Sequence, residues 1–355
     1  MTAALGVRRV RVPFRVPFET AAGTWAARES LLVEIRSEEG ARGIGEAPID
    51  ASLRTADLTG YVQQLLEGPG EGVPDAVRHA FASGLGGAVL DLAPPPEPVA
   101  AAIRAGVGVN ATLPVDGIDE TVVAAAAAVG AGYRTLKLKV GAGERASTLA
   151  DRVRAVRQAV GPRVALRLDA NGSWELEGAL ERLRLLEPIG IQYVEQPLPI
   201  GARGGAAALR EATGVPIAAD EAVTSPEAAL TLVEHGAADV LVVKLARVGG
   251  PGAAAAISAV AAEAGVPVVI SSLFETGIGL AAAVACAAAL PDVDGWPAAE
   301  RDHGLATASV LVHDLLLEPL VITDGRIRAP FAAGSGGLGT LVDEAAVDRY
   351  AVDDA

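Results

Sequence analysis

The sequence predicts an α/β protein: a closed barrel of repeated strand–helix units joined to a smaller accessory region. Three observations carry that prediction. From Gly106 onward, short β-branched runs alternate with alanine-rich amphipathic segments, recurring roughly every 25 residues, which suits strand, loop, helix and loop in a parallel sheet. Most of those runs end on one ionisable residue, as expected of strands whose C-terminal ends converge on a single mouth. The chain of 355 residues also exceeds a barrel of about 250 residues by enough for a companion domain.

The elements follow in order. Residues 10–14 and 30–35 are β-rich and predict an antiparallel start, joined by a loop that carries Thr20, Gly23, Trp25 and Arg28. Helical patterning covers 55–66 and 74–92, and the prolines at 94, 95, 96 and 98 then interrupt any regular element, which places a boundary near residue 100. Barrel strands are expected at 107–110, 135–140, 165–169, 192–195, 217–219, 240–243 and 268–271, with a weak eighth near 298–302. A solenoid also recurs at such a period, but these units share no consensus and end in different ionisable residues, which favours a closed barrel. After Asp314 come two β-rich stretches, 317–322 and 325–330, a glycine-rich loop at 334–339 and a last amphipathic turn to Tyr350. This tail is expected to pack back on the N-terminal region, giving a division into 1–100, 101–315 and 316–355.

Composition narrows the partners. Half of the residues are hydrophobic and the formal net charge is −15, so nucleic acid and anionic membrane would be met by a repulsive field. A small anionic substrate remains compatible where local cations or a metal reverse that field. The single cysteine, Cys286, lies in an apolar run; it excludes an intrachain disulfide and reads as a small buried hydrophobe in a reducing compartment. No signal peptide is visible, and the apolar runs at 122–129 and 281–290 fall short of the roughly 20 residues that span a bilayer. A cytoplasmic protein is expected, with homo-oligomerisation left open.

The chemistry lies at the strand ends. Lys137 and Lys139, Asp169, Glu195, Asp220 and Lys244 each punctuate or close a run that otherwise reads as buried. Buried singly, such charges are costly; gathered at one mouth, they need each other or a metal. Asp169, Glu195 and Asp220, from successive strands, make a hard oxygen site suited to Mg²⁺, or Mn²⁺ in its place. Zinc is disfavoured because the four histidines show no ligand spacing. Alternation puts Lys137 and Lys139 on one face, Lys137 a layer deeper, where its charge and a metal favour Lys139 as a base. Lys244 arrives from the far side as a second acid, base or cation. Asn171 and Glu221 stand beside the metal ligands as groups that orient them. Ser271, Ser272, Glu275 and Gly277 follow the seventh strand, where hydroxyls and a helix N-terminus could receive a substrate carboxylate. A plain helix cap at Ser272, with Glu275 completing a capping box, fits the same spacing.

These residues carry a family resemblance. Lys137-x-Lys139, Asp169-x-Asn171, Glu195-Gln196-Pro197, Asp220-Glu221 and Lys244 resemble the muconate-lactonizing-enzyme subgroup of the enolase superfamily, over most of the chain. The resemblance implies a (β/α)₇β modified TIM barrel capped by an α+β domain built from the N-terminal hundred residues and the C-terminal tail. The lysine bases and magnesium of that superfamily are a general pattern of carboxylate-adjacent proton abstraction. Within the subgroup, the segments Pro17 to Trp25 with Arg28-Glu29, Gly45-Glu46-Ala47-Pro48, Ser271 to Gly279 and His303 to Thr307 resemble the o-succinylbenzoate synthases. Dipeptide epimerases of similar design carry Asp-x-Asp at the eighth strand, where this chain reads Gly304-Leu305-Ala306.

The resemblance to the synthases implies a syn dehydration of 2-succinyl-6-hydroxy-2,4-cyclohexadiene-1-carboxylate to o-succinylbenzoate, through an enediolate, for menaquinone synthesis. In it Lys139 removes the proton beside the carboxylate and returns it to the departing hydroxide, while Lys244 stays cationic. Arg167, Asn110, Ser271, Ser272, Glu275, Gly304, Thr20 and Trp25 are the expected substrate contacts. N-succinylamino acid racemase, dipeptide epimerase and cycloisomerase are alternatives on the same apparatus.

Overall fold

The computed structural model describes residues 4–20, 23–49, 58–68, 70–141, 143–329 and 337–352. The β-rich start forms a three-stranded antiparallel meander of β1 (Ala4–Thr20), β2 (Gly23–Arg36) and β3 (Arg42–Pro48). The stretch expected to be a loop is instead the paired end of the β1–β2 hairpin, with Thr20 opposite Gly23 and Val12 opposite Arg28. The register shifts between Pro13 and Phe18, and prolines in that stretch hide the strand from its sequence pattern.

Helices α1 (Leu58–Glu67) and α2 (Asp75–Asp91) lie where their periodicity places them. α2 approaches β3 backbone to backbone: a Cβ at Gly45 would stand 2.0 Å from the Gly84 carbonyl oxygen, so only glycine fits there. The proline run does not exclude a helix, as had been expected. α3 (Glu97–Ala105) starts directly after Pro96, with Pro98 in its first turn, where a missing N–H breaks no helical bond.

β4 (Val107–Gly108) leads into a seven-stranded parallel sheet. Its strands and helices alternate: β5 (Ala111–Leu113), α4 (Ile118–Gly130), β6 (Thr135–Lys139), α5 (Ala146–Val160), β7 (Ala165–Asp169), α6 (Leu176–Leu186) and β8 (Tyr193–Glu195). There follow α7 (Arg203–Ala212), β9 (Ile217–Ala219), α8 (Pro226–Glu234), β10 (Val240–Lys244), the short α9 (Leu245–Val248), α10 (Pro251–Glu263), β11 (Val268–Ser271) and α11 (Gly277–Ala288). The strands neighbour one another in chain order from β5 to β11.

The eighth strand position is filled by His303 and Gly304, not by 298–302, which holds a 3-10 turn at Ala298–Glu300. The Asn110 N–H donates to His303 O (2.9 Å), His303 N–H to Gly108 O (2.8 Å), Gly304 N–H to Ile270 O (2.9 Å) and Ser272 N–H to Gly304 O (3.1 Å). These four bonds tie the start of the sheet to its end and close the barrel. Side chains obey the two-residue period of a strand. Leu136, Leu138, Leu166, Leu168, Val194 and Ile217 pack outward under the helices, whereas Tyr193, Ala218, Val240, Val242 and Val269 fill the interior beside Trp296.

The tail returns to both ends of this framework. β12 (Val321–Thr323) and β13 (Arg326–Arg328) form a hairpin that pairs with β4. α12 (Glu344–Tyr350) lies along β1, where Arg8 donates to Glu344 (2.8 Å) and Ala351 bridges Val10. Residues 334–336 of the glycine-rich loop at 334–339 fall outside the described residues, and Leu338, within the loop, donates its N–H to Asp91 at the end of α2 (2.9 Å). Cys286 packs against the main core, where burial pushes its thiol up to about 12. Among the described residues no helix is long and apolar enough to cross a membrane.

Candidate active site

Strand register builds the mouth. Lys139 lies opposite Asp169, and Asp169 opposite Glu195, so the ends of β6, β7 and β8 stand level. Asp220 follows β9 directly, and Lys244 closes β10 opposite Ser271. The five residues that the sequence places at strand ends therefore share one rim, and each inward partner is fixed by the alternation along its strand.

Their side chains form one network. Lys139 Nζ donates to Asp169 Oδ2 (2.7 Å) and Asn171 Oδ1 (2.9 Å). Lys137 Nζ stands 3.1 Å from that same Asp169 oxygen and 3.1 and 3.3 Å from the two Glu195 oxygens. One carboxylate oxygen thus bridges two ammonium groups, with Lys137 buried and Lys139 about a third exposed at the mouth. Across the barrel, Lys244 Nζ donates to Asp220 Oδ2 (2.5 Å) and Arg247 to Asp220 Oδ1 (2.6 Å). Asn171 links the two sides: its N–H donates to Asp169 Oδ1 (3.1 Å) and its Nδ2 to Glu221 Oε1 (3.1 Å).

The charges shift one another. Burial works against the Lys137 ammonium, but Glu195, Asp169 and Asp220 outweigh it and hold the group well above its usual range. Burial would likewise raise Asp169, yet Lys137 and Lys139 keep its carboxyl below the ordinary carboxylate range. Asp220 is held down in the same manner by Lys244 and Arg247. Glu195 goes the other way: burial and then the charge of Asp169 push it up to about 7.

Two features bear on a divalent cation. The donors are carboxylate oxygens on successive strands, the hard set that Mg²⁺ and Mn²⁺ favour. Glu221 Oε2 is buried with no hydrogen-bond partner among the described residues, and such an orphan oxygen, on a carboxylate tied to the mouth through Asn171, suits further positive charge. The donor chemistry fits. In this arrangement the carboxylates are paired with Lys137, Lys139, Lys244 and Arg247, and no three His, Cys, Asp or Glu among the described residues converge on one point. Ammonium groups take the carboxylate oxygens that a cation would need.

Several expected substrate contacts lie elsewhere. Arg167 has no exposed surface; it sits level with Lys137, one layer below the mouth, opposite Tyr193. Its guanidinium donates to Gln192 Oε1 (2.7 Å), Asn110 Oδ1 (3.2 Å) and Asp302 O (2.7 Å), and lies 4.8 Å from the Tyr193 ring centre. Arg167 and Asn110 thus form the floor of the barrel rather than its lining, because a charge on that layer must be paid for by internal partners. Trp25 is half-buried 5.8 Å from Arg28, and the Thr20 side chain lies outside what the structure describes. Ser272 Oγ pairs with Thr307 Oγ1 (2.8 Å), and Ser271 Oγ stands 3.5 Å from Gly304 O.

The expected capping box is absent too. α11 begins at Gly277, and Glu275 instead accepts the Leu273 N–H (2.6 Å). The helix N-terminus is capped from the meander, by Glu46: its carboxylate accepts Thr276 N–H (2.9 Å), Thr276 Oγ–H (2.6 Å), Gly279 N–H (3.1 Å) and Ser30 Oγ–H (2.7 Å). That carboxylate occupies the N–H groups that had been expected to receive substrate.

Three working residues escape a reading of strand ends. Arg247 reaches Asp220 only because α9 sets it one turn beyond Lys244, a spacing visible in the sequence once a helix is known to start there. Gln196 adopts a left-handed backbone (φ 39°) that lets its Oε1 accept from Asp220 N–H (3.1 Å) and Ala222 N–H (3.2 Å). Glu46, noted in the sequence only through the family resemblance, caps a helix more than two hundred residues away, so nothing local signals that role.

Known proteins place the chain in a family. Residues 120–346 match the family model described as Enolase C-terminal domain-like. The chain is 42% identical over 228 residues to an o-succinylbenzoate synthase of Thermobifida fusca, covering 63% of this chain and 67% of that protein. It is 32% identical over 308 residues to the L-Ala-D/L-Glu epimerase of Bacillus subtilis, covering 79% and 83%. A muconate lactonizing enzyme from Pseudomonas fluorescens superposes with a TM-score of 0.80 at 25% identity, over 98% of both chains. With that match and the site's own geometry, the chain belongs to the Enolase C-terminal domain-like family of the enolase superfamily.

Proposed function

We propose that the protein is an o-succinylbenzoate synthase, which removes water from 2-succinyl-6-hydroxy-2,4-cyclohexadiene-1-carboxylate. The observation that carries this reading is Lys139, the most open of the mouth's ammonium groups, bridged through one Asp169 oxygen to a Lys137 held firmly cationic. Such a lysine, in its neutral form, takes the proton beside the substrate carboxylate and hands it to the hydroxyl leaving the same face. Asn171 orients Lys139, and Gln196 fixes the turn that presents Asp220. Lys244 faces the ring as a cation as negative charge develops. Asp169, Glu195 and Asp220 would hold Mg²⁺, or Mn²⁺ in its place, and that ion supplies positive charge to the substrate carboxylate.

We assign the cap to 1–100 together with 316–355 and the catalytic barrel to 101–315. A small dicarboxylate substrate, action in menaquinone synthesis and a cytoplasmic setting complete the reading, with neither nucleic acid nor membrane as partner.

A second reading has its own observation. Lys139 on β6 and Lys244 on β10 stand on different sides of the mouth, which suits proton transfer on opposite faces of an N-succinyl amino acid. A dipeptide epimerase is less well supported: its Asp-x-Asp is replaced by Gly304-Leu305-Ala306, and a Cβ at Gly304 would lie 2.4 Å from Ser271 Oγ, so a side chain there would need Ser271 to move. The two leading readings separate with Mg²⁺-loaded protein given the cyclohexadiene substrate, and separately an N-succinyl amino acid in D₂O. Dehydration of the first is expected. Inertness toward it, with deuterium entering the second, would replace the synthase by the racemase.

A further inference from the structure

Lys139 ends β6, and the peptide that follows it is held from two directions. On one side the Val140 N–H donates to Asp169 O (3.0 Å), which ties that peptide to β7. On the other side strand support runs out: β5 ends at Leu113, opposite Leu138, and Pro114 beyond it has no N–H to give. The carbonyl takes its donor from the helix layer instead. Arg152 Nη2, on α5, stands 3.1 Å from Lys139 O.

The Arg152 guanidinium is itself locked. Its side chain is 1% exposed, and Nε and Nη2 donate to the two oxygens of Glu144 (2.9 and 2.7 Å). Glu144 closes the turn after β6: its N–H donates to Gly141 O (3.0 Å), and its Oε2 accepts the Gly141 N–H (3.4 Å). Arg182, on α6, donates to the Glu144 carbonyl (2.7 Å). Two helices therefore grip the segment that leaves Lys139. An enclosed ion pair gains little stability over apolar packing, because both charges give up their hydration. What this pair provides is a donor fixed in place behind Lys139.

The same helix carries a second arginine of similar habit. Arg157 donates to the carbonyls of Gly161 (2.8 Å), Val164 (2.6 Å) and Gly190 (2.8 Å). Those residues lie where β7 and β8 are about to begin, at the end of the barrel away from the mouth. Both arginines stitch α5 to neighbouring loops, and of the two Arg152 alone reaches the backbone of a mouth residue.

We propose that Arg152 is a positioning residue for Lys139, holding its carbonyl so that the side-chain amine meets the substrate at a fixed distance. The proposal rests on the reading that Lys139 moves the proton. A misplacement of about 1 Å at a reacting group costs on the order of a hundredfold in rate. Arg152 is buried behind the strand, so its loss falls on kcat rather than on substrate affinity.

The lysines of this chain are Lys137, Lys139 and Lys244, and Lys139-Val140 is the sole Lys-Val pair. Labelling lysine carbonyls with ¹³C and valine amides with ¹⁵N in the full chain therefore leaves one NMR cross-peak, which reports this peptide. Arg152→Met is expected to move that cross-peak, and Arg157→Met to leave it in place. With Mg²⁺ and the cyclohexadiene substrate, Arg152→Met is expected to lower kcat by about tenfold to a hundredfold with little change in KM. Arg157→Met is expected to keep the wild-type kcat even where its thermal midpoint falls as far. Arg152→Lys keeps a cation beside Glu144 without the planar fork, and is expected to show the same changes at smaller size. A cross-peak unmoved in both Arg152 variants, or an equal loss of kcat in Arg152→Met and Arg157→Met, would overturn the positioning role. The cross-peak needs no substrate, so the two readings fail separately: turnover with an unmoved cross-peak removes only the positioning role, and a moved cross-peak without wild-type turnover removes only the synthase.

Discussion

Lys137 and Lys139 share one oxygen of Asp169, and the division of labour between them follows from depth: the lower lysine keeps its charge among carboxylates, the upper one faces the opening. These residues were legible in the sequence because a charge at the end of an apolar β-branched run is conspicuous. Arg167, given as a substrate contact by the family resemblance, lies fully buried one layer below the mouth, a depth that no strand pattern specifies. Gly304, expected as a substrate contact, also lies at the seam that closes the barrel, where a side chain would crowd Ser271. A Cβ there would meet Ser271 Oγ at 2.4 Å and Ser271 Cβ at 3.1 Å. Gly304→Ala is expected to lose about 1–3 kcal/mol by overpacking the seam that closes the barrel. Denaturant unfolding measures it, and the double variant with Ser271→Gly is expected to recover most of the loss. An unchanged midpoint in Gly304→Ala would show that the seam yields freely.

At the scale of elements, β3 and α11 are joined by Glu46, whose carboxylate caps a helix on the other side of the cap–barrel junction. Glu46→Gln puts an amide hydrogen against donors that need an acceptor, and is expected to cost about 1–3 kcal/mol. Hydrogen exchange should report that loss first in β3 and in the opening turn of α11; an effect spread evenly over the chain would argue against a local junction. Glu275 is buried beside Glu46, and burial, then the Glu46 charge, push it up to about 7. Its folded pKa is above the unfolded value, so the stability it contributes is present below about 4.5 and is lost as pH rises toward about 7. Unfolding followed between these pH values should show stability falling with pH, and Glu275→Gln should flatten the slope; an identical slope in the variant would contradict the assignment. Most elements were legible: the seven parallel strands lie within a few residues of their expected places. The eighth strand was not legible from periodicity, because only His303 and Gly304 pair there and two residues carry none; the family resemblance alone placed it at Gly304. The β1–β2 hairpin was shortened by its prolines, and α3 was hidden by prolines that begin a helix as readily as they end one.

On the scale of the whole molecule, a parallel barrel gathers charges from β6 to β10 at one mouth, while meander and tail close over and around it. The fold class was legible because it depends on repetition along the chain. The junction was not, because Glu46, Arg28 and Arg247 act on residues distant in sequence. The account's central claim is that Lys139 moves the proton beside the substrate carboxylate. The most direct measurement follows aromatisation of the cyclohexadiene substrate by the Mg²⁺-loaded protein and by its Lys139→Ala variant, each confirmed folded by its thermal midpoint. Wild type is expected to turn over and Lys139→Ala to be slower by about a hundredfold to ten-thousandfold, the contribution of a positioned acid–base group. A folded Lys139→Ala variant that aromatises the substrate at the wild-type rate would contradict the account.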